Sequence, residues 1–266
     1  MIANPFLDPD CIRDALYGDA ARIAQRTSAL RRAKISGRHP ATVIADLASA
    51  GPRGTVVDIG CGRGTSTLAL ARRLAPPRLI AFDQSAALLA DAEHRLAGHA
   101  GVEFLQGDFH AIGLADASAM VIVAAFCLYH SPHPATAIAE IARCLVPGGM
   151  SITVTKSADS YQTLSEVIAT SGLDLDAGNR PSLYETFHSD NQADIVATSL
   201  HVQQVIHDEH HFRFADADHI AAYAATTPRF QLPGTPAEIA GQLKTTIGNG
   251  PLETTSTVTY VVATRP

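Results

Sequence analysis

Three glycines stand alternately at Gly60, Gly62 and Gly64, just after a single acid, Asp58, in the run TVVDIGCGRGTSTLALARR from Thr55 to Arg73. Glycine tolerates backbone angles that other residues avoid and lets a ligand lie against bare main chain, so this loop between a strand and a helix is built for a guest. The spacing narrows the choice. A triphosphate-binding loop needs GxxxxGK[ST], and no Lys-Ser or Lys-Thr follows these glycines. A dinucleotide fingerprint needs GxGxxG, but the sixth position counted from Gly60 is Thr65, so the glycine that lets helix and strand pack closely is absent. A nicotinamide-dependent oxidoreductase is therefore the alternative, and the pattern that remains is DxGxGxG.

Other residues carry chemistry further along. Asp83 and Gln84 close a second apolar run, Gly107-Asp108-Phe109 follows a third, and AAFCLYH ends a fourth at His130. Imidazole titrates near neutral pH, so His130 is the best candidate base, able to take a proton from a hydroxyl, an amine or an activated carbon. The competing reading has it packed at the strand end, holding the next loop. His133, in SPHP, reads as a loop residue. In His207-Asp208-Glu209-His210-His211, strand alternation puts His207, Glu209 and His211 on one face, but no metal site is assigned to them; an exposed edge or turn is the expectation.

These residues need a scaffold, and the rhythm of the chain supplies one. Strands are predicted at TVVDIG, RLIAFD (78–83), VEFLQGD, AMVIVAAFCLY (119–129) and MSITVTK, with helices over 65–74, 85–96 and 135–145 between them. Short apolar runs alternating with helix-period segments give a parallel sheet covered on both faces. Ser85 is placed to cap its helix. Beyond Lys156, 160–171 and 215–225 read as helices, 199–214 as a strand, and TTSTVTYVVAT as a closing strand. The expected fold is α/β and Rossmann-like: seven mostly parallel strands with an antiparallel last one. Residues 1–52 are expected to form an N-terminal helical cap and 53–266 the main domain, with lid insertions near 160–197 and 216–251. Aromatic residues in those connections, namely Tyr161, Tyr184, Phe187, His188, Phe214, Tyr223 and Phe230, either line an acceptor pocket or cover the core.

At this point the sequence resembles the class I S-adenosylmethionine-dependent methyltransferases. The first motif is matched in full, and Asp83, Gly107-Asp108-Phe109, the strand-four end AAFCLYH and LVPGGM follow in order, over about residues 50 to 156. The landmarks resemble the branch that includes the ubiquinone and menaquinone methyltransferases. The resemblance implies S-adenosyl-L-methionine as cofactor and S-adenosyl-L-homocysteine as product. It implies that Gly60, Cys61 and Gly62 lie along the methionine half, with the following helix N-terminus offering amide donors to its carboxylate. Asp58 would organise the loop or reach the amino group, and Asp83 would accept both ribose hydroxyls through its two oxygens. Gln84 would flank the adenine, Asp108 would accept from its amino group, and Phe109 would add an apolar wall. Methyl transfer in this family occurs near the end of strand four, which points to Ala124, Phe126, Tyr129 and His130, with Tyr129 and His130 as catalytic candidates and Ala125 and Phe126 as cofactor-binding residues. The [N/D]PP[Y/F] motif of amino-directed relatives is missing, which turns the expectation away from nucleic-acid adenine and glutamine amides.

Composition agrees with a small-molecule enzyme. The net charge is −6, from 20 Lys plus Arg against 26 Asp plus Glu, and there is no Trp, so neither a general phosphate-binding surface nor a base-stacking platform is expected. The local exception, Arg22, Arg26, Arg31, Arg32 and Lys34, reads as a solvated helix face before an anion-binding one. No apolar run reaches the roughly 20 residues of a spanning helix, and the start MIANPFLDPDCIRD lacks a basic then apolar leader, so a cytoplasmic protein with no membrane partner is expected. Cys11, Cys61, Cys127 and Cys144 are widely spaced and are expected to be reduced. An Ala- and Arg-rich, Lys-poor chain fits a high-GC genome and a part in specialised-metabolite biosynthesis. A homodimer is left open by the sequence, as is a protein that holds the cofactor without catalysis.

Overall fold

The apolar runs become strands because their side chains can be buried on both faces of a sheet. In the computed structural model, which describes residues 4–8, 12, 16, 20–227 and 229–266, seven strands form one sheet in the order β3-β2-β1-β4-β5-β7-β6. These are β1 Thr55–Ile59, β2 Arg78–Asp83, β3 Val102–Gln106, β4 Ala119–Ala125, β5 Leu145–Lys156, β6 His201–Phe214 and β7 Leu252–Thr264. The first five pair in parallel and β7 runs antiparallel to β5, Met150 opposite Thr264 through Lys156 opposite Val258. The expected fold class is therefore the observed one. Nine helices accompany the sheet among the described residues: α1 Ala20–Ala33, α2 Pro40–Ala48, α3 Thr65–Leu74, α4 Ala86–Leu96, α5 Pro134–Cys144, α6 Gln162–Thr170, α7 Gln192–Ala197, α8 Ala217–Ala224 and α9 Pro236–Ile247.

The chain divides into two compact units. The larger comprises Arg38–Ser157, Tyr184–Asp208 and Val258–Pro266; the smaller comprises Met1–Gly37, Ala158–Leu183 and Glu209–Thr257. In the larger unit Val43 and Ile44 of α2, Leu70 of α3 and the strand residues Val56, Leu79, Val121, Val123, Ile152, Val154 and Tyr260 share one core. Each fully buried aliphatic side chain there contributes about 1.5–3 kcal/mol. The smaller unit has its own core of Tyr161, Leu164, Ile168, Phe212, Phe214, Ile220, Tyr223 and Leu243. Thus α2, expected as part of a cap, lies in the sheet's own core, while α1 belongs to the smaller unit.

Two local features differ from the sequence reading. The fourth strand stops at Ala125, four residues before the expected end at Tyr129, because Phe126 takes a left-handed φ of 57° and a 3-10 turn follows over Leu128–His130. The apolar run continues past the turn because the turn itself is buried. The fifth strand starts earlier than expected: Gly148 and Gly149 sit within β5 and exchange backbone bonds with Arg265. Ser85 does cap α4, accepting from the Leu88 N–H at 3.3 Å.

Arg22 and Arg26 donate to the carbonyls of Ala225 and Thr226 just past α8, so part of the basic stretch closes the end of a neighbouring helix. The exposed face of β6 carries His207, Glu209 and His211, but His207 turns to Thr259 at 2.8 Å and His211 pairs with Glu209 at 2.8 Å. Among the described residues no group of His, Cys, Asp and Glu is arranged to hold a metal ion, and no helix is long and apolar enough to cross a membrane. Cys61, Cys127 and Cys144 are buried free thiols; Cys11 lies outside the described residues.

Candidate functional site

The strand order reverses direction between β1 and β4, and in open α/β sheets ligands bind beyond the carboxyl ends of the strands at such a switch point. The glycine loop leaves β1 there, and Phe126 leaves β4 beside it: Phe126 N–H donates to Val154 O at 2.8 Å.

The three glycines of the loop answer to three different demands. All have positive φ: 63° at Gly60, 53° at Gly62 and 74° at Gly64. A Cβ on Gly60 would come within 2.5 Å of the Cys127 Cβ, and one on Gly64, the N-cap of α3, within 3.0 Å of the Ala92 Cβ. Both are packing constraints, of the loop against the turn after β4 and of α3 against α4. A Cβ on Gly62 would meet nothing within 4 Å. Gly62 is therefore the point at which bare backbone faces open space.

Two acids hold the loop. Asp83 Oδ2 accepts from Gly62 N–H at 2.8 Å and its Oδ1 from Ser85 N–H at 2.9 Å, tying the glycine loop to the start of α4. Burial raises the Asp83 pKa, opposed by the backbone N–H groups of Ser85, Gly62 and Gln84. Each oxygen keeps a further lone pair for a ligand hydroxyl. Asp58 is fully buried under the loop; Ser66 and Thr67, in the first turn of α3, donate to its Oδ2 at 2.8 and 2.6 Å. Its Oδ1 is buried with no hydrogen-bond partner. Desolvation lifts this carboxyl to about 6 despite the two hydroxyl donors, with the nearby Asp83 adding to the rise.

The remaining expected residues gather on the same unit. The Cys61 side chain is turned inward against Ala81 and Leu89, so only its backbone is available to a ligand. Burial pushes the Cys61 and Cys127 thiols up, which leaves both unreactive. Gln84 is exposed at the rim, and its carbonyl accepts from Gln106 Nε2 at 3.0 Å. Phe109 is half-buried, its ring centroid 4.6 Å from that of His110. Ala125 and Phe126, half-buried, end β4. Tyr129 and His130 are both buried, ring centroids 4.6 Å apart, and the Tyr129 ring meets Tyr184 edge-on at 4.9 Å. Thr186 Oγ1 donates to the Tyr129 carbonyl at 3.0 Å, fixing the turn that carries both candidates.

Sequence reasoning missed four participants. Ser66 and Thr67 were legible only as helix residues, although TST directly after the glycines was the available signal. Lys156, at the end of β5, has its Nζ 5.7 Å from the Phe126 ring and 5.9 Å from the Tyr184 ring, a cation against two aromatic faces. His110 bridges Asp108 and Ser131 with both ring nitrogens.

The donor set fits S-adenosylmethionine. An open glycine at a strand-to-helix turn, the N-terminus of the ten-residue α3 beside it and an acid at the end of β2 suit an amino-acid carboxylate and a ribose diol.

Residues 56–149 match the family described as "Methyltransferase domain". A trans-aconitate 2-methyltransferase of Acidovorax sp. (strain JS42) is 38% identical over 95 residues, which are 36% of this chain and 35% of that protein. The match thus spans about a third of the length of such curated relatives. Among solved structures, a putative methyltransferase from Bacillus halodurans C-125 superimposes with a TM-score of 0.61 at 17% identity, over 85% of this chain and 98% of that one. The [4+2]-cyclase SpnF superimposes with a TM-score of 0.60 at 16% identity, over 98% and 97%. At such identities the likeness is one of fold.

Proposed function

We propose that this chain, whose residues 56–149 match a methyltransferase domain, is a class I S-adenosylmethionine-dependent methyltransferase that transfers a methyl group to a small-molecule acceptor. The observation that carries the proposal is the open Gly62 backbone held by the Asp83 carboxylate above a buried Asp58. When bound, S-adenosylmethionine supplies an electrophilic methyl group on a sulfonium. The loop backbone at Gly60 to Gly64 and the α3 N-terminus hold its methionine part in this reading. Asp83 holds the ribose; Gln84, Asp108 and Phe109 hold the base; Ala125 and Phe126 wall the reacting end.

The chain must also position an acceptor, remove its proton and exclude water. His130 is the base in this reading, and Tyr129 orients it from the same turn. Thr186 and Tyr184 support that turn, through the 3.0 Å bond to the Tyr129 carbonyl and the edge-on ring contact. A small organic acid is the first acceptor class to screen, following the trans-aconitate relative. A cytoplasmic role in specialised-metabolite biosynthesis completes the proposal, on the composition alone.

Fold does not dictate chemistry, and the cyclase among the fold neighbours makes product formation the deciding readout. The test is incubation with methyl-labelled S-adenosylmethionine and a panel of carboxylic, phenolic and amine acceptors. Stoichiometric S-adenosylhomocysteine and a product in which the labelled methyl group has replaced one hydrogen of the acceptor are expected. Tight cofactor binding with no product across the panel would instead support a protein that holds the cofactor without methyl transfer.

A further inference from the structure

We propose that His110 is a positioning residue that fixes the carboxylate of Asp108 for reading the cofactor's base, and that Ser131 holds His110 in place; this rests on Asp108 facing the adenine amino group. The Asp108 side chain is 68% exposed, and an exposed carboxylate ordinarily samples several rotamers. Here it does not have that freedom. Its Oδ1 accepts from the backbone N–H of His110 at 2.8 Å and lies 2.7 Å from the ring Nδ1. The turn is closed by Ala111 N–H on the Asp108 carbonyl at 2.9 Å, and Ile112 N–H is anchored to Glu140 Oε1 at 2.8 Å. Oδ2 is left as the accepting oxygen.

Hydrogen-bond arithmetic fixes the roles. A carboxylate only accepts, so Nδ1 carries the hydrogen. In the neutral ring Nε2 then accepts, and its partner at 2.8 Å is the Ser131 hydroxyl. Ser131 Oγ accepts in turn from His133 N–H at 2.9 Å, and Ser131 is fully buried, so the far end of the chain is anchored in the turn after β4. The brace therefore runs from the loop after β3 to the residue next to His130. Removing the imidazole leaves the Asp108 carboxylate on the backbone N–H of residue 110 alone and so loosens its rotamer.

Adenine presents an amino donor where hypoxanthine presents an oxygen, so a fixed acceptor at this position discriminates between S-adenosyl-L-homocysteine and S-inosyl-L-homocysteine. The experiment is calorimetric titration of both ligands into the full chain and its variants. The wild type should prefer the adenosyl ligand by roughly ten- to a hundredfold, as expected for a charge-assisted hydrogen bond replaced by an acceptor pair. His110→Ala, which keeps only the backbone tie on Asp108, should lower that ratio several-fold toward the value of Asp108→Ala, and should change it no further in the Asp108→Ala background. His110→Asn, which keeps a donor near the Nδ1 position, should retain most of the discrimination. Equal weakening of both ligands by His110→Ala, with the ratio intact, would overturn the inference while leaving the role of Asp108 standing. A wild-type ratio near one would remove the role of Asp108 and the inference with it.

Discussion

The backbone N–H of Gly62 donates to Asp83 Oδ2 at 2.8 Å, so the one loop glycine that faces open space is held by the acid that ends the neighbouring strand. Two positions 21 residues apart thereby form one device, and substitution of either should be felt at the other. Asp83→Ala removes both the loop tie and the acceptors for a ribose diol. Affinity for S-adenosylhomocysteine should fall roughly ten- to a hundredfold by calorimetry, the scale of lost charge-assisted hydrogen bonds. Unchanged affinity would place the ribose away from Asp83.

The three loop glycines should respond differently to alanine. Gly60→Ala drives a methyl into Cys127 and Gly64→Ala drives one into Ala92, so both should lower the melting temperature markedly. Gly62→Ala meets no neighbour and carries only the left-handed strain of about 1–2 kcal/mol. It should melt closest to wild type and yet lose cofactor binding. If Gly62→Ala binds normally, the ligand does not lie against that backbone.

Much of this was legible because it is local. Asp58, the glycines and α3 lie within one strand–turn–helix unit, and Asp83 ends a strand that the sequence marks plainly. Tertiary neighbours decided what was missed. Phe126 turns left-handed within an apolar run that gives no breaker signal, because the following turn is itself buried. Ser131 reaches His110 across 21 residues only because the loops after β3 and β4 meet, and no spacing announces that meeting. The aromatic residues after Lys156 sort by unit: Tyr161, Phe214, Tyr223 and Phe230 line the smaller unit's core, while Tyr184 packs on Tyr129.

The buried Asp58 sets a pH signature. Its folded pKa of about 6 lies above the ordinary 3.8, so the folded chain binds this proton more tightly than the unfolded chain does. That contribution to stability is fully present below about pH 4 and is lost as pH rises through about 6. Asp58→Asn keeps an oxygen for Ser66 and Thr67 and has no such proton to lose. The melting temperature of the variant minus that of wild type should therefore rise between pH 4 and 6.5 and then level. A difference independent of pH would mean that Asp58 is charged throughout.

His130→Ala should separate chemistry from binding. As a general base, His130 accounts for about 10²–10⁴ in turnover, so kcat should fall by that order while affinity for S-adenosylhomocysteine is kept. Equal loss of both would make His130 a packing residue of the Leu128–His130 turn.

The most direct test is calorimetric titration of the purified protein with S-adenosylhomocysteine and, separately, with NADH, after mass spectrometry of any ligand carried through purification. Saturable binding of S-adenosylhomocysteine with no NADH heat is the predicted result, and it would make the glycine loop a cradle for the sulfonium cofactor. Binding of NADH alone would contradict it and return the loop to the nicotinamide-dependent enzymes.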